Sequence, residues 1–448
     1  MLRSFRVENH KSIKGEAELL LMPVYDKTRP VVPVTAIFGA NAAGKSNVLD
    51  ALRWMRDAVL NSFRLWEPER GVPRTPFKLD PAVRTAPSLF AVELLLDEVR
   101  YTYGFTVDDD RVTEEWLYTY PHNRRRTVFV RSQEGWEFGS TVPRAKLEQV
   151  VDLTPRNALF LTTAARTEVA EVAPAFRWFQ QSLAFTDPSS SWREELMQQL
   201  EGPDRDALIE LVRAADLGIR DVTVDSDEDP EQIRQEIIDT TAKIRPQHGH
   251  EDSQIKEALA TVKLALTVIA RAASGEAAMP PLRAAQLSRE RELRFLHGES
   301  RVALTEKEQS YGTLAWLRVL TQTMTALRAG SVLCVDEIDS SLHPRLTARL
   351  IELFRHSETN PRGAQLIFTT HDATLLGTSF GEDILERDEV WFVEKGGDGA
   401  TKLYPLSDFR PRKEDNRERR YLGGSYGAVP DVSEYEFRMA AARASKAA

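Results

Sequence analysis

Gly39-Ala40-Asn41-Ala42-Ala43-Gly44-Lys45-Ser46 follows the apolar run Val31–Phe38 and precedes a helical pattern that begins near Asn47. The order is strand, glycine-bounded loop, helix. Backbone N–H groups of such a loop point inward and bind phosphate oxygens, and the helix N-terminus adds a favourable partial charge. Lys45 is spaced to reach the β- and γ-phosphates of a nucleotide, and the Ser46 hydroxyl to hold Mg²⁺. The bland alternative is a glycine-rich turn with a coincidental Lys-Ser. The strand before and the helix after argue against it. Gly39 through Asn47 is therefore the candidate phosphate-binding set.

Working outward, Ser331-Val332-Leu333-Cys334-Val335-Asp336-Glu337 reads as a buried strand of a parallel sheet that ends in two adjacent carboxylates. Successive strand residues point to opposite faces, and the carboxyl end of a strand is where an α/β sheet binds ligand. Asp336 is placed to hold Mg²⁺, and Glu337 to orient and deprotonate a water that attacks the γ-phosphate. Leu366-Ile367-Phe368-Thr369-Thr370-His371-Asp372 is a second buried-strand pattern, ending in a histidine suited to a hydrogen bond with the γ-phosphate. Between them, Ile338–Pro344 forms a loop into the next helix, with Pro344 at a favourable first helical position.

Lys45 and Asp336 are 291 positions apart (336 − 45), so a large insertion separates the two halves of the site. Just before the acidic strand, Glu308-Gln309-Ser310-Tyr311-Gly312-Thr313 opens an amphipathic helix carrying Leu314, Leu317, Val319, Leu320, Met324 and Leu327, closed by Gly330. Ser310, Gly312 and Thr313 form a second candidate phosphate-reading element at a helix N-terminus.

In this order the motifs resemble the ATP-binding cassette (ABC) ATPases, in the branch that holds SMC and RecF proteins and the bacterial OLD nucleases. Closer still, the chain resembles the stand-alone AAA-type ATPases of the RloA/AbiL-like group, found beside restriction-modification and abortive-infection genes. Further matching stretches are Pro76–Asp80, Asn157–Leu161, Asp216–Ile219, Phe295–His297, Ala364–Asp372 and Tyr421–Gly427, with Leu2–Ser12 similar to the branch's first strand. The resemblance implies an α/β fold, an ABC-type head of parallel-sheet P-loop core plus antiparallel β subdomain, with an inserted compact helical lobe. It implies an ATPase that makes ADP and phosphate, with ATP and Mg²⁺ as its cofactors and with Lys45, Glu337 and His371 catalytic. It also implies a self-association in which Gly39–Ser46, Asp336, Glu337 and His371 of one copy face Ser310, Gly312 and Thr313 of another. OLD nucleases append a Toprim nuclease domain. Only 77 residues (448 − 371) follow His371, too few for one after the ATPase sheet is complete. The expected partner is a separately encoded effector, a nuclease, in anti-phage defence.

Two departures stand out. The signature is Ser310-Tyr311-Gly312-Thr313 where transporter cassettes have Leu-Ser-Gly-Gly-Gln, and Ala42 stands where many SMC-type loops have glycine. The glutamine loop has no clear position, with Gln149, Gln180 and Gln181 as candidates. Two other readings of function stay open. One is a RecF-like repair ATPase that binds DNA directly. The other is a scaffold that holds ATP without hydrolysing it, which a water-activating Glu337 argues against.

At 448 residues, with 42% hydrophobic and 28% charged residues, the composition is that of a soluble globular protein of two lobes. No apolar run is long enough for a membrane span, no secretory leader is visible, and Cys334 is the single cysteine, so a reducing cytoplasm is expected. The net charge of −9 argues against a uniformly basic nucleic-acid coat. Three arginine groups leave a local patch open: Arg124–Arg126 with Arg131; Arg283, Arg289, Arg291 and Arg294; and Arg410, Arg412, Lys413, Arg417, Arg419 and Arg420. The ordinary reading of each is a solvated face, and Asp108-Asp109-Asp110 reads as a hairpin tip. The expected organisation is an N-terminal ATPase half over 1–140, a helical lobe over 141–300, a C-terminal ATPase half over 301–430, and a partly disordered tail over 431–448. Within it, 88–137 is a β-meander, Trp178–Phe185 marks a helix and its exit, and 231–273 holds two helices. Residues 302–410 alternate helix and strand three times.

Overall fold

The computed structural model describes residues 1–26, 28–140, 144–186, 192–225, 291–300, 302–340, 342–378, 381, 383–410, 412, 415–430 and 433–446. They divide into two compact units, Met1–Leu196 with Tyr311–Ala448, and Met197–Ser310.

The first unit opens with β1 (Leu2–Glu8) and β2 (Ala17–Leu20), enters β3 (Val34–Phe38), and turns through the glycine-bounded loop into α1 (Lys45–Leu65). A short α2 (Pro81–Thr85), capped by Asp80 with Pro81 at its start, leads into β4 (Ser88–Leu96), β5 (Val99–Val107), β6 (Val112–Tyr120), β7 (Arg126–Ser132) and β8 (Gly135–Phe138). These join β1 and β2 in a seven-stranded antiparallel sheet of order β2-β1-β4-β5-β6-β7-β8. The meander follows the alternation of apolar and polar residues. Its β5–β6 turn is made by Asp108, whose Oδ1 accepts the N–H groups of Asp110 and Arg111.

Three helices follow, α3 (Arg144–Leu153), α4 (Phe160–Arg166) and α5 (Ala173–Gln181), then β9 (Leu183–Phe185) and α6 (Trp192–Glu201). Their placement corrects the expected boundary at 141. Residues 144–186 and 192–196 pack with the ATPase half, not with the lobe. A buried carboxylate fixes this. Glu115 of β6 is fully buried and accepts the N–H groups of Phe160 and Leu161 at 2.6 and 2.9 Å, together with the Tyr103 hydroxyl at 3.1 Å. Burial raises the Glu115 carboxyl above its usual range, and the nearby Arg131 guanidinium pulls it back. The exit of α5 is also more than a helix end. Leu183–Phe185 forms the edge strand of the central sheet, parallel to the Val332–Val335 strand.

The second unit contains α7 (Arg205–Ala214) and a three-stranded antiparallel sheet of β10 (Ile219–Asp225), β11 (Glu292–His297) and β12 (Ala303–Thr305). The short strand read at Gly218–Val224 is β10, and β11 and β12 make the described part of the expected helical lobe a mixed one. The two helices expected within 231–273 lie outside the described residues.

The chain returns to the first unit with α8 (Tyr311–Ala329), β13 (Val332–Val335), α9 (Pro344–Arg355), β14 (Gln365–Thr370), β15 (Val390–Lys395) and β16 (Thr401–Pro405). The third expected helix is absent among the described residues between β14 and β15, where two short 3-10 turns, Ala373–Leu376 and Arg387–Glu389, stand instead. The central sheet has the order β16-β15-β3-β14-β13-β9, parallel except for the β15–β16 hairpin. One face of it and one face of the antiparallel sheet share a core with α1. Val48, Leu52, Met55 and Val59 pack in one cluster with Phe5, Phe90 and Phe105 on one side and Ile37, Ile367 and Val393 on the other. Each such side chain contributes roughly 1.5–3 kcal/mol when fully buried.

The end of the chain carries α10 (Arg417–Leu422) and α11 (Glu434–Lys446). Within the tail expected to be partly disordered, Glu434–Lys446 is helical, while 431, 432, 447 and 448 lie outside the described residues. The Ala-rich composition of α11 favours a helix even though the residues from Glu434 to Arg443 are exposed.

Candidate functional site

The glycine-bounded loop leaves β3 at the carboxyl edge of the central sheet. Gly39 admits no side chain, because a Cβ there would lie 2.6 Å from the Val393 carbonyl oxygen of β15. Gly44 has φ +107 and is packed against Thr401, so it needs both the conformational freedom and the small size of glycine. Ala42 sits at φ +63, the left-handed region. Where many related loops have glycine, this chain therefore carries a β-carbon at a cost of roughly 1–2 kcal/mol.

The β15–β16 hairpin braces the loop from behind. The Thr401 hydroxyl donates to the Ala43 carbonyl at 2.9 Å and lies 2.6 Å from the Ser12 hydroxyl, while Asn47 Nδ2 donates to Ser12 at 2.6 Å. The Thr401 N–H closes the ring on the Ser12 carbonyl. Asn47 thus faces a brace of the loop in this arrangement.

Lys45 is 6% exposed and donates from Nζ to the Gly39 and Ala40 carbonyls at 2.8 and 3.2 Å. Burial pulls its ammonium below the ordinary lysine range, and the carboxylates of Glu337, Asp339 and Asp336 pull it back. One cation thus faces three acidic groups across the mouth of the loop.

Strand β13 ends at Val335 and delivers the acidic pair beside the loop. The Ser46 hydroxyl donates to Asp336 Oδ1 at 3.1 Å, and the Thr369 hydroxyl of β14 donates to the same oxygen at 2.6 Å. Thr369 Oγ1 in turn accepts the Glu337 N–H at 2.7 Å, and its carbonyl accepts the Ile338 N–H at 3.1 Å. Glu337 is held at φ +50, a left-handed conformation that costs a side chain about as much as Ala42. His371, one residue past β14, places Nδ1 3.0 Å from Asp339 Oδ2 and leaves 61% of its side chain exposed.

The donor set suits a divalent cation. Ser46 and Asp336 offer a hydroxyl and a carboxylate oxygen in contact with each other, and hard oxygen ligands of this kind take Mg²⁺. A buried lysine beside them supplies the point charge that phosphate recognition uses.

The structure therefore brings Gly39–Asn47, Asp336, Glu337 and His371 to one edge. Ser310 ends the second unit, and Gly312 and Thr313 lie in the first turn of α8. Sequence reading missed Ser12, Thr369, Thr401 and Asp339. Only the position of Thr369, two residues before His371 on a buried strand, carried a signal.

The remaining family-like stretches are structural. Asn157 Nδ2 holds the Glu67 and Gly71 carbonyls, Phe77 binds Asn9 through its N–H, and Ile219 pairs with His297 across β10 and β11. Tyr421 and Tyr426 stack on Phe392 of β15. The arginines are largely committed as well. Arg131 donates to the Ala158 and Arg156 carbonyls, Arg294 pairs with Asp225, and the buried Arg417 pairs with Asp383 and the Leu385 carbonyl. Arg124, Arg125 and Arg126 remain exposed, whereas Arg283, Arg289 and Lys413 lie outside the described residues. Cys334 is buried, which pushes its thiol up and makes it a core group. No described helix is long and apolar enough to cross a membrane.

No curated protein matches the chain. A family model described as "AAA domain, putative AbiEii toxin, Type IV TA system" matches residues 34–377, well over half of the chain's 448. The matched span starts at the first residue of β3 and ends just past His371, so it takes in Gly39–Asn47, Asp336, Glu337, Asp339 and His371 but not the bracing Ser12 and Thr401. The chain belongs to this family of AAA-domain, P-loop ATPases.

Proposed function

We propose that the chain hydrolyses ATP at sites shared by two copies of itself and, through that cycle, controls a separately encoded effector, a nuclease, in anti-phage defence. The observation that carries the first part is the shared Asp336 oxygen, which joins Ser46 of the phosphate loop to Thr369 of the switch strand. Lys45 pairs with the terminal phosphates. Ser46 and Asp336 hold Mg²⁺, which when bound neutralises charge on the phosphate oxygens. Glu337 accepts a proton from the attacking water, and His371 faces the terminal phosphate. Ser310, Gly312 and Thr313 of the second copy complete the site. ATP then holds the pair closed and hydrolysis reopens it, so nucleotide state becomes a shape signal.

Mixing two inactive variants tests the shared site. Ser310→Arg is expected to bind ATP without hydrolysing it, and Lys45→Ala to do neither. A mixed pair offers one site with both an intact Lys45 and an intact Ser310, so phosphate release should return on mixing. A mixture no more active than its components counts against composite sites.

Thr369→Val keeps the side-chain shape and removes both hydrogen bonds that align the acidic pair. Turnover should fall at least about tenfold, since a hydrogen bond to a charged group contributes roughly 1.5–3 kcal/mol. Unchanged phosphate release would show that Asp336 and Glu337 hold their places without it.

The effector reading is supported by the resemblance to ATPases of defence loci and by the family description, which speaks of toxins of type IV toxin–antitoxin systems. The purified chain with Mg²⁺ or Mn²⁺ and ATP should leave plasmid, linear DNA and RNA intact, and should co-purify with the product of the adjacent gene. Cleavage by the chain alone, lost on substitutions outside the ATP site, would place the effector within this protein.

A further inference from the structure

Asp339 lies in the loop between β13 and α9, three residues beyond Asp336. Its side chain is 6% exposed, yet it reaches the exposed switch histidine. Oδ2 lies 3.0 Å from His371 Nδ1 and accepts the His371 backbone N–H at 3.4 Å, so one carboxylate oxygen engages both the ring and the main chain. Oδ1 is buried with no hydrogen-bond partner among the described residues. Burying a carboxylate costs free energy unless it is paired, and while the Lys45 ammonium supplies a nearby charge, the close contacts of Asp339 both go to His371. The loop that carries Asp339 is fixed to β14 by the Glu337 and Ile338 N–H groups, both held by Thr369.

A carboxylate can only accept, so the nitrogen facing Asp339 carries the hydrogen and Nε2 is the free edge of the ring. We propose that Asp339 is a positioning residue for His371: it fixes the ring through Nδ1–H and presents Nε2 to the terminal phosphate of ATP. This rests on the ATPase reading above. The form of the ring that donates from Nε2 to a phosphate oxygen while Nδ1–H stays on Asp339 is the imidazolium, its second proton supplied by solvent water, and Asp339 stabilises that positive ring from behind. One short loop would then supply a metal ligand in Asp336, the water-activating Glu337, and the orientation of the group that senses the phosphate. Loss of that phosphate would be felt in the same loop.

The test uses the full chain with Asp339→Ala, Asp339→Asn, His371→Ala and the Asp339→Ala/His371→Ala double variant. Steady-state hydrolysis, ATP titration and ¹⁵N ring spectra of His371 are measured. The His371 signals are assigned by their loss in His371→Ala. Asp339→Ala should lower kcat on the order of 10- to 100-fold, the loss seen when an outer partner orienting a reactive ring is removed, with ATP affinity little changed. Asp339→Asn keeps an acceptor and should fall between. In the His371→Ala background, removing Asp339 should cost nothing further, because its effect passes through the ring. The ring spectrum should show hydrogen on Nδ1 in the wild type and lose that preference in Asp339→Ala. An equal kcat loss in the His371→Ala background, or a ring spectrum indifferent to Asp339, would overturn the proposal. Wild-type protein that binds ATP but never hydrolyses it would sink the ATPase reading instead, and the ring spectrum would still decide the Asp339–His371 pairing.

Discussion

Lys45→Ala is expected to abolish nucleotide binding while leaving the fold intact. The ammonium is the only cation that the phosphate loop itself supplies, and it donates to the loop's own Gly39 and Ala40 carbonyls. A charge-assisted contact to phosphate is roughly twice as strong as a neutral one, and here it is made by a group already removed from water. That prior desolvation also explains why the fold should survive. Burial pulls the Lys45 ammonium below its usual range, so the charged form is disfavoured in the folded protein, and its two hydrogen bonds are offset by that cost. Calorimetric titration should show no heat of ATP binding, beside a thermal unfolding midpoint close to that of the wild type. Undiminished ATP affinity would refute the phosphate-loop assignment. A collapsed unfolding midpoint would show instead that the lysine holds the loop together.

The α/β core was legible because its strands are short, continuous apolar runs that each end in a reactive group. Phe38 precedes the loop, Val335 precedes the acidic pair, and Thr370 precedes His371. Period and position together fix such strands, since a run buried on both faces has little choice but the centre of a parallel sheet. The braces of the site were not legible, because they come from residues with no local signature. Thr401 and Ser12 meet across 389 positions, and neither type announces a role in sequence. The boundary at 141 failed for a related reason. Helical periodicity marks 144–153 and 160–166, but not that a carboxylate on β6 caps α4 and draws that segment into the ATPase half. The signature segment was legible as a helix start, and α8 does begin at Tyr311.

Glu337→Gln should bind ATP and stop there. The backbone at this position is already in the left-handed region, its N–H held by Thr369 Oγ1 at 2.7 Å and its carbonyl accepting the Ser340 N–H at 2.8 Å. Glutamine pays the same conformational cost as glutamate, keeps nearly the same volume, and leaves both backbone hydrogen bonds in place. The change is confined to the side-chain head, which can no longer accept a proton from water. Turnover should fall at least ~10²-fold, the low end for loss of a general base. Because Lys45, Ser46 and Asp336 are untouched, ATP affinity should be preserved or raised. If ATP closes two copies and hydrolysis parts them, the variant should accumulate as the closed pair. Size-exclusion chromatography with ATP and Mg²⁺ should then show a larger species than the wild type gives under the same conditions, and ADP should not produce it. A variant that loses turnover yet elutes like the wild type with either nucleotide would keep Glu337 as the base and remove the closure cycle. A variant that still hydrolyses ATP at the wild-type rate would move the base elsewhere, with Asp339 and His371 as the next residues along the same edge.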